Sequence, residues 1–218
     1  LIPIEKQIIS EKSNKENLEN NFNSVFRERV ATKAEMMHKG KRILDKYHSL
    51  FLGAIGEQKA VEELKKLPDT FTIINGFNLS ITPPIYDKNL KQHIYSIQAD
   101  HIVIGPPGVF LIETKNWSKN TINNIDIYSP IHQIKRSNYA LYIYLNESIN
   151  KGILSFFTSN WGKRKISVRN IVLMINAKPE MEFQFVKILS LPEICRYIQY
   201  FKAVFNETET KELVEFLT

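Results

Sequence analysis

The sequence contains a single cysteine, Cys195, so no disulfide can form within the chain. The residue lies in a helix-like stretch, LPEICRYIQYF, and we interpret it as a small buried apolar residue. A chain without internal disulfides favours a reducing compartment, so we expect a cytoplasmic protein. The five histidines show no zinc-ligand spacing, which argues against a zinc-binding domain.

Long apolar runs are also missing. No run approaches the ~18 residues that a membrane helix needs, so we expect no membrane segment in this chain. Gly and Pro are scarce, 8 and 9 of 218 residues, which excludes collagen-like and low-complexity classes. The chain begins with Leu1 rather than Met, so we expect a trimmed start. The remaining composition, 43% hydrophobic and 24% charged, is that of a globular protein.

Acidic residues are fewer than basic residues, with 23 Asp and Glu against 29 Lys and Arg. The formal net charge is +6 and the pI is about 9.2, which favours polyanionic partners because basic surfaces attract phosphate backbones.

The N-terminal part of the chain has a helical pattern. Residues 5–23 are polar, and apolar residues then recur at spacings near 3 and 4, the helical period. These residues are Leu18, Phe22, Val25, Phe26, Met36, Ile43, Tyr47 and Leu50. We predict a helical extension over residues 1–49, interrupted at Gly40, that packs on the following domain or on a second copy of itself in a homo-oligomer.

The second part, residues 50–218, has an α/β pattern. It begins with a helix, LGAIGEQKAVEELKKLP, and a short strand, TFTIINGF. Residues 78–96 are interpreted as a loop or an irregular hairpin arm. Two hairpin strands follow, then a helix for which Ser129 and Pro130 form the N-cap and first turn. The buried strand VRNIVLMIN and two helices complete the order, which predicts a mixed sheet.

The hairpin QADHIVIGPPGVFLIETKNW carries charges where core strands are apolar. If Gly-Pro-Pro-Gly is a four-residue loop, Ile104 pairs with Val109. Asp100 then faces Glu113, and Gln98 faces Lys115, with Cβ atoms ~4.5–5.5 Å apart. Glu113 and Lys115 share one face because side chains alternate along a strand. We therefore predict one patch formed by Gln98, Asp100, Glu113 and Lys115.

Two facing carboxylates repel each other unless something compensates them. A hard divalent cation held by one or two carboxylates would do so, with the Thr114 carbonyl as a further oxygen ligand. Glu57 shares the apolar stripe of its helix and is a third candidate ligand. The alternative is a partly buried Glu that accepts hydrogen bonds or pairs with Lys115. Gly53 and Gly56 would allow that helix end to approach another element closely. The alternative for the whole patch is an internal salt-bridge network.

The residues resemble a known family. Asp100 followed by Glu113-Thr114-Lys115 resembles the PD-(D/E)XK nuclease pattern. More specifically, GAIGE, QADHIVIGPPGVFLIETKNW and SPIHQ resemble the nuclease-related domain, NERD, over roughly residues 50–145. The sequence departs from that pattern where Ser118 and Lys119 replace a Gly and where Ser129 replaces an Asn before Pro130.

The resemblance implies a restriction-endonuclease-like α/β core, with a mixed sheet flanked by helices, that hydrolyses phosphodiester bonds. Asp100, Glu113 and Glu57 would hold Mg²⁺ or Mn²⁺, and Lys115 would orient water or stabilise negative charge. Gln98 and Gln133 would position a water or a phosphate. DNA is favoured over RNA as the substrate.

Further residues are candidates for contact with nucleic acid. Trp117 would stack on a base or cover the sheet, whereas His101 points to the opposite face and is interpreted as a packing histidine. The basic candidates are Lys119, Lys135, Arg136, Lys163, Arg164 and Lys165. The alternatives to a nuclease are a catalytically silent nucleic-acid-binding module and an assembly or sensor module that keeps the fold.

Overall fold

The structure is a computed structural model that describes residues 2–88, 90–118, 128–154, 158–159 and 162–218. The chain divides into two compact units, Leu1–Phe51 and Leu52–Thr218. No helix in the described ranges is long and apolar enough to cross a membrane.

The first unit contains helix α1, Ile2–Asn20, and the beginning of helix α2, Phe22–Leu64. The two helices are separated at Asn21, whose carbonyl accepts from the Ser24 amide at 3.0 Å. The predicted interruption at Gly40 is wrong, because α2 continues through it. One glycine costs only about 1 kcal/mol in a helix interior, too little to end a helix of this length.

The second unit is built on a mixed sheet. Its described strands are β1 (Thr72–Asp87), β2 (Gln92–Gly105), β3 (Gly108–Lys115), β6 (Val168–Met174) and β7 (Val186–Ser190), in spatial order β1-β2-β3-β6-β7. The first three strands pair antiparallel, and β3–β6 and β6–β7 pair parallel. Two short strands, β4 (Thr158–Ser159) and β5 (Gly162–Lys163), pair separately.

Helices cover both faces of the sheet. They are the end of α2, helix α3 (Tyr128–Asn150), helix α4 (Leu191–Tyr200) and helix α5 (Glu207–Leu217). Leu111 of β3 lies in one buried cluster with Leu141 of α3, and its neighbour Ile112 lies in the other with Leu64 and Ile194. Alternate side chains of one strand therefore anchor different helix layers. The predicted fold class, α/β with a mixed sheet flanked by helices and an N-terminal helical extension, is confirmed.

Residues 78–96 form the second of the two predicted alternatives, an irregular hairpin arm. Strands β1 and β2 extend through this segment, and their register shifts between Ser80 and Ile85. The inserted residues include Pro83 and Pro84, which cannot donate to a strand ladder.

Two details differ from the predictions. Helix α3 begins at Tyr128, so Ser129 lies in its first turn and is not its N-cap. Pro130 is tolerated there because the first N–H groups of a helix have no acceptor within it. Strand β7 was not predicted. It is stabilised by parallel pairing with β6, and that pairing cannot be read from the local sequence of β7. The predicted turn at residues 121–127 lies outside the described residues.

Candidate active site

The register of the β2–β3 hairpin sets the site. Ile104 pairs with Val109, and the ladder runs from Gly105↔Gly108 to His101↔Ile112. The predicted register is confirmed over these pairs, whereas the predicted pairs Asp100–Glu113 and Gln98–Lys115 lie beyond the ladder. The loop is shorter than expected, because the two glycines pair and only Pro106 and Pro107 remain in the turn. The next positions beyond the ladder are Asp100 and Glu113. The two carboxylates therefore lie where the described β2–β3 pairing ends.

Beyond the end of the β2–β3 ladder, the Asp100 side chain accepts a hydrogen bond from the backbone of β3. Its Oδ2 accepts a hydrogen bond from the Thr114 amide at 2.6 Å. The contact holds the Asp100 carboxylate against the backbone of β3, beside the two residues that flank Thr114. Asp100 and Thr114 are thus adjacent in space, as the predicted metal ligands require.

Glu113 is a buried carboxylate, with 4% of its surface exposed. Its Oε1 accepts from Lys115 Nζ at 2.6 Å, and the Gln133 side chain is a second hydrogen-bond partner. Burial and the charge of Asp100 raise the pKa of Glu113, while Lys115 and Gln133 act in the opposite direction. The site therefore holds an anion that its own environment only partly compensates.

Glu57 reaches the same place from helix α2. Its pKa is raised first by burial and then by the charge of Asp100, with Lys115 opposing the shift. Helix α2 approaches Asn116, the residue after β3, closely because residue 56 is a glycine. A Cβ at that position would lie 2.9 Å from the Asn116 Cβ. The expected close approach is thus seen at Gly56, whereas a Cβ at Gly53 would meet no described atom within 4 Å.

Asn116 fastens this contact. Its Nδ2 donates to the Leu52 carbonyl of α2 at 2.7 Å, and its Oδ1 accepts from the Asn176 amide just beyond β6. One side chain therefore ties the helix that carries Glu57 to the ends of two strands. The sequence pattern did not predict this role, although Asn116 lies within the hairpin sequence QADHIVIGPPGVFLIETKNW.

A cleft of about 220 Å³ joins these groups. Five of the six predicted catalytic residues line it, and the sixth, Lys115, binds one of the five. The lining residues are Glu57, Gly76, Phe77, Asn78, Gln98, Ala99, Asp100, Glu113 and Gln133. A larger cleft of about 590 Å³, bordered by Asp69, Pro106 and Lys211, contains none of the predicted site residues.

The donor set fits a hard cation held by few protein ligands. No group of three or more His, Cys, Asp or Glu side chains within the described ranges is placed to hold a metal ion. Asp100 and Glu113 instead present two carboxylates to an open cleft, and Mg²⁺ is commonly bound through one or two carboxylates with waters and phosphates completing its shell. The set does not suit zinc, which prefers nitrogen and sulfur ligands.

His101 has the packing environment expected from its position. It is 1% exposed, its Nδ1 lies 2.8 Å from Asn75 Oδ1, and burial lowers its pKa against the opposing charge of Asp100. Among the described residues, its Nε2 and the Thr114 Oγ1 are buried without a hydrogen-bond partner. Neither atom belongs to a residue that lines the cleft.

Three of the seven candidate nucleic-acid contacts, Trp117, Arg136 and Arg164, already have partners within the protein. Trp117 is half-buried and packs against the apolar cluster under α3. Arg136 contacts the Ser96 carbonyl at 3.4 Å, and Arg164 forms an ion pair with Glu209 at 2.6 Å.

The remaining candidates are four lysines. Lys135 and Lys165 are exposed. Lys119 and the side chain of Lys163 lie outside the described residues.

Comparison with known proteins agrees with the motif analysis. Residues 52–174, more than half of the chain, match the family model of NERD, the nuclease-related domain. The search of curated proteins gave no match. Among solved structures, the small subunit of the heterodimeric restriction endonuclease R.BspD6I is similar at 16% identity, over 75% of this chain and 78% of that chain, with a TM-score of 0.29. A likeness at that TM-score supports no conclusion about this chain. On the strength of the family match, this chain belongs to the nuclease-related domain family.

Proposed function

We propose that the protein is a metal-dependent nuclease that hydrolyses phosphodiester bonds, with DNA as its preferred substrate. One observation carries the proposal: Glu57, Asp100 and Glu113 converge on one cleft, and the pKa values of Glu57 and Glu113 are raised there. Carboxylates whose charges are mutually unfavourable are typical of functional sites. Membership of a nuclease-related family agrees with this chemistry.

Asp100 and Glu113 are the proposed ligands of Mg²⁺ or Mn²⁺. The carbonyl of Thr114, which lies beside Asp100 but does not itself line the cleft, is a further proposed ligand. Glu57 lines the same cleft and would complete the shell directly or through a water. A bound ion supplies charge neutralisation at the phosphate and a lowered pKa for a bound water. The protein's part is to hold the two carboxylates in place: the Thr114 amide binds Asp100, and the Lys115 ammonium binds Glu113.

Lys115 is the proposed catalytic cation. Its Nζ donates to Glu113 Oε1 at 2.6 Å, so it binds a carboxylate that lines the cleft. A donor fixed there would orient the attacking water or stabilise negative charge that develops on the phosphate, a contribution of about 10²–10³ in rate when one such donor is removed.

Gln133 and Gln98 are proposed to position the reacting groups. Gln133 lies in the second turn of α3 and already bonds to Glu113, so its amide would fix the carboxylate or a phosphate oxygen. Gln98 lines the cleft from β2 and is exposed to solvent. Lys135 of α3 is exposed to solvent and is a further candidate for contact with a phosphate.

The test is cleavage of single-stranded, duplex and branched DNA, and of RNA, with Mg²⁺, Mn²⁺ or EDTA. We expect metal-dependent cleavage that falls about 100-fold or more in Lys115→Ala and Asp100→Ala. Lys65→Ala, an exposed lysine on the helix-ending turn after α2, should cleave like the wild type. Cleavage unaffected by both site substitutions would refute the assigned site. Binding without cleavage on every substrate would favour the catalytically silent module.

We also propose that α2 mediates assembly, because an apolar stripe along its first part is exposed. The stripe repeats every seven residues, a period that favours a left-handed coiled coil with a second helix. Its members are Met36, Ile43 and Leu50, and one position further Met37, Leu44 and Phe51. A homo-oligomer through this stripe is compatible with nuclease activity.

Sedimentation of the full chain over a wide concentration range tests the assembly. We expect an oligomer that dissociates in Ile43→Glu/Leu50→Glu and persists in Ser49→Glu, since Ser49 lies on the opposite side of the helix. A monomeric wild type, or an oligomer equally stable in all variants, would refute it.

The single cysteine bears on location. Cys195 is half-buried, its Sγ donates to the Glu63 carbonyl at 3.2 Å, and burial raises the pKa of its thiol. A thiol of this kind is a packing group that oxidation would disturb, and we propose that the protein works in the reducing cytoplasm.

A further inference from the structure

The arm is formed by the continuation of two strands that line the cleft, β1 through Gly76 to Asn78 and β2 through Gln98 to Asp100. One of its sides is buried, with Ile81, Ile94 and Ile97 at 5%, 0% and 1% exposure. The Tyr139 hydroxyl of α3 donates to the Tyr86 carbonyl at 3.3 Å. Strand β2 therefore runs from Asp100 at the cleft into a segment that the core holds in place.

The other side of the arm carries aromatic rings. Tyr86 pairs directly with His93 across the two strands, and Tyr95 lies two residues further along β2. The ring centroids are 5.0 Å apart for Tyr86–His93 and 6.3 Å apart for His93–Tyr95. Tyr86 is 46% exposed and Tyr95 65% exposed. We call these three residues the aromatic row.

The rings of the aromatic row do not cover one another. Their planes are tilted by 54° and 44°, so no ring stacks flat on its neighbour and ring surface is left open to solvent. Solvent-exposed aromatic rings held on a sheet are the arrangement on which proteins stack unpaired bases. The rings of Tyr86 and Tyr95 are already exposed to solvent in this conformation.

The charge of the arm is positive where it is exposed. Among the described residues of 78–97, the exposed charged side chains are those of Lys88 and Lys91 at the turn. Asp87 is 4% exposed and accepts from the Leu90 amide. The arm therefore offers cations and rings together, which suits a strand of nucleic acid better than an acidic or purely apolar partner.

We propose that the aromatic row binds unpaired bases of a nucleic-acid strand that passes through the cleft. Tyr95 is five residues from Asp100 on the same strand, about 16 Å at the usual rise per residue. Bases in a duplex are stacked on each other and unavailable to the rings, so the row selects a single strand or a single-stranded end. The inference rests on the proposed function, because it names the substrate class of that site.

Binding and cleavage are measured separately on the full chain. Fluorescence anisotropy in EDTA gives the affinity for labelled single-stranded DNA, single-stranded RNA and duplex DNA without cleavage. The variants are Tyr86→Ala/Tyr95→Ala, the ring-preserving Tyr86→Phe/Tyr95→Phe, and Tyr200→Ala as an exposed tyrosine outside the row. Circular dichroism melts show whether each variant folds as the wild type does.

We expect the double alanine variant to bind single strands about tenfold more weakly or worse, since stacking contributes ~1–3 kcal/mol per base. The double phenylalanine variant and Tyr200→Ala should bind like the wild type, and duplex affinity should change little. Unchanged single-strand affinity in the double alanine variant would overturn the inference. An equal loss on duplex and single strands would also overturn it.

Cleavage of the same oligonucleotides with Mg²⁺ distinguishes this inference from the proposed function. Normal cleavage with row-independent binding refutes the aromatic row and leaves the nuclease standing. Row-dependent binding without cleavage in any metal refutes the nuclease and leaves the row standing. A wild type that binds no single strand and cleaves nothing refutes both.

Discussion

Two glycines one turn apart on α2 allow a matched test of how Glu57 is placed. At Gly56, an added Cβ would lie 2.9 Å from the Asn116 Cβ and 3.4 Å from Ile175 Cγ1. At Gly53, it would meet no described atom within 4 Å. Replacing each glycine with alanine makes the same chemical change on the same helix, so the difference between the two variants reports the contact.

The expected free energies follow from two opposed effects. Alanine in place of glycine in a helix interior stabilises by about 1 kcal/mol, so Gly53→Ala should raise the free energy of unfolding by roughly that amount. Gly56→Ala has the same gain, but forcing a methyl group into a packed contact costs about 1–3 kcal/mol. Asn116 yields little, because its side chain binds both Leu52 and Asn176. Gly56→Ala should therefore be about 1–3 kcal/mol less stable than Gly53→Ala.

Urea unfolding at 25 °C measures that difference, and cleavage of the preferred substrate measures its consequence. Glu57 follows Gly56 directly, and a displacement of about 1 Å in a catalytic group can cost about 100-fold in rate. We expect Gly53→Ala to retain wild-type activity and Gly56→Ala to lose most of it. A Gly56→Ala variant as stable and as active as Gly53→Ala would show that the close approach does not position Glu57.

Three further substitutions test single contacts. Glu57→Gln should raise the melting temperature and lower the rate of cleavage, because burial and the charge of Asp100 disfavour the ionised Glu57 carboxylate. An unchanged or lower melting temperature would contradict this. Asn116→Ala should lower the free energy of unfolding by about 1–2 kcal/mol in urea melts, since it removes hydrogen bonds between α2 and the sheet. Glu193→Gln at the start of α4 should cost about 1 kcal/mol at pH 7, a value reduced for its exposure. The Ser190 backbone amide lowers the Glu193 pKa from 4.5 to about 2. The stability that Glu193 contributes is therefore complete above about pH 4.5 and is lost as the pH falls through about 2. Equal stability of Glu193→Gln and the wild type at pH 7 would refute this.

The site was largely predictable because its determinants are local. Turn chemistry at Gly105–Gly108 and strict alternation fix which residues of β2 and β3 face each other, and both can be read from twenty consecutive residues. Glu57 was predictable from a helical stripe in a neighbouring segment. The assignment of chemistry to these residues came from the resemblance of the motifs to a family.

The features that were missed depend on distant partners. Strand β7 is stabilised by parallel pairing with β6, and no local pattern announces that pairing. The aromatic row exists because a register shift after Ser80 brings Tyr86 opposite His93, a match that depends on inserted residues. Asn116 acts through Leu52, 64 positions earlier in the chain.

The anomaly of charges in a buried hairpin is resolved by where the ladder ends. From His101↔Ile112 to the turn, every pair is buried and apolar or small apart from His101 itself, and this part supplies the stability of the hairpin. One step further, Asp100 accepts the Thr114 amide with its side chain, so the backbone remains satisfied although the described pairing has stopped. The two carboxylates thus occupy the first positions beyond the β2–β3 ladder. Repulsion between the two carboxylates therefore does not act within the β2–β3 ladder, while parallel pairing of Glu113 with Val172 of β6 keeps this part of β3 in the sheet.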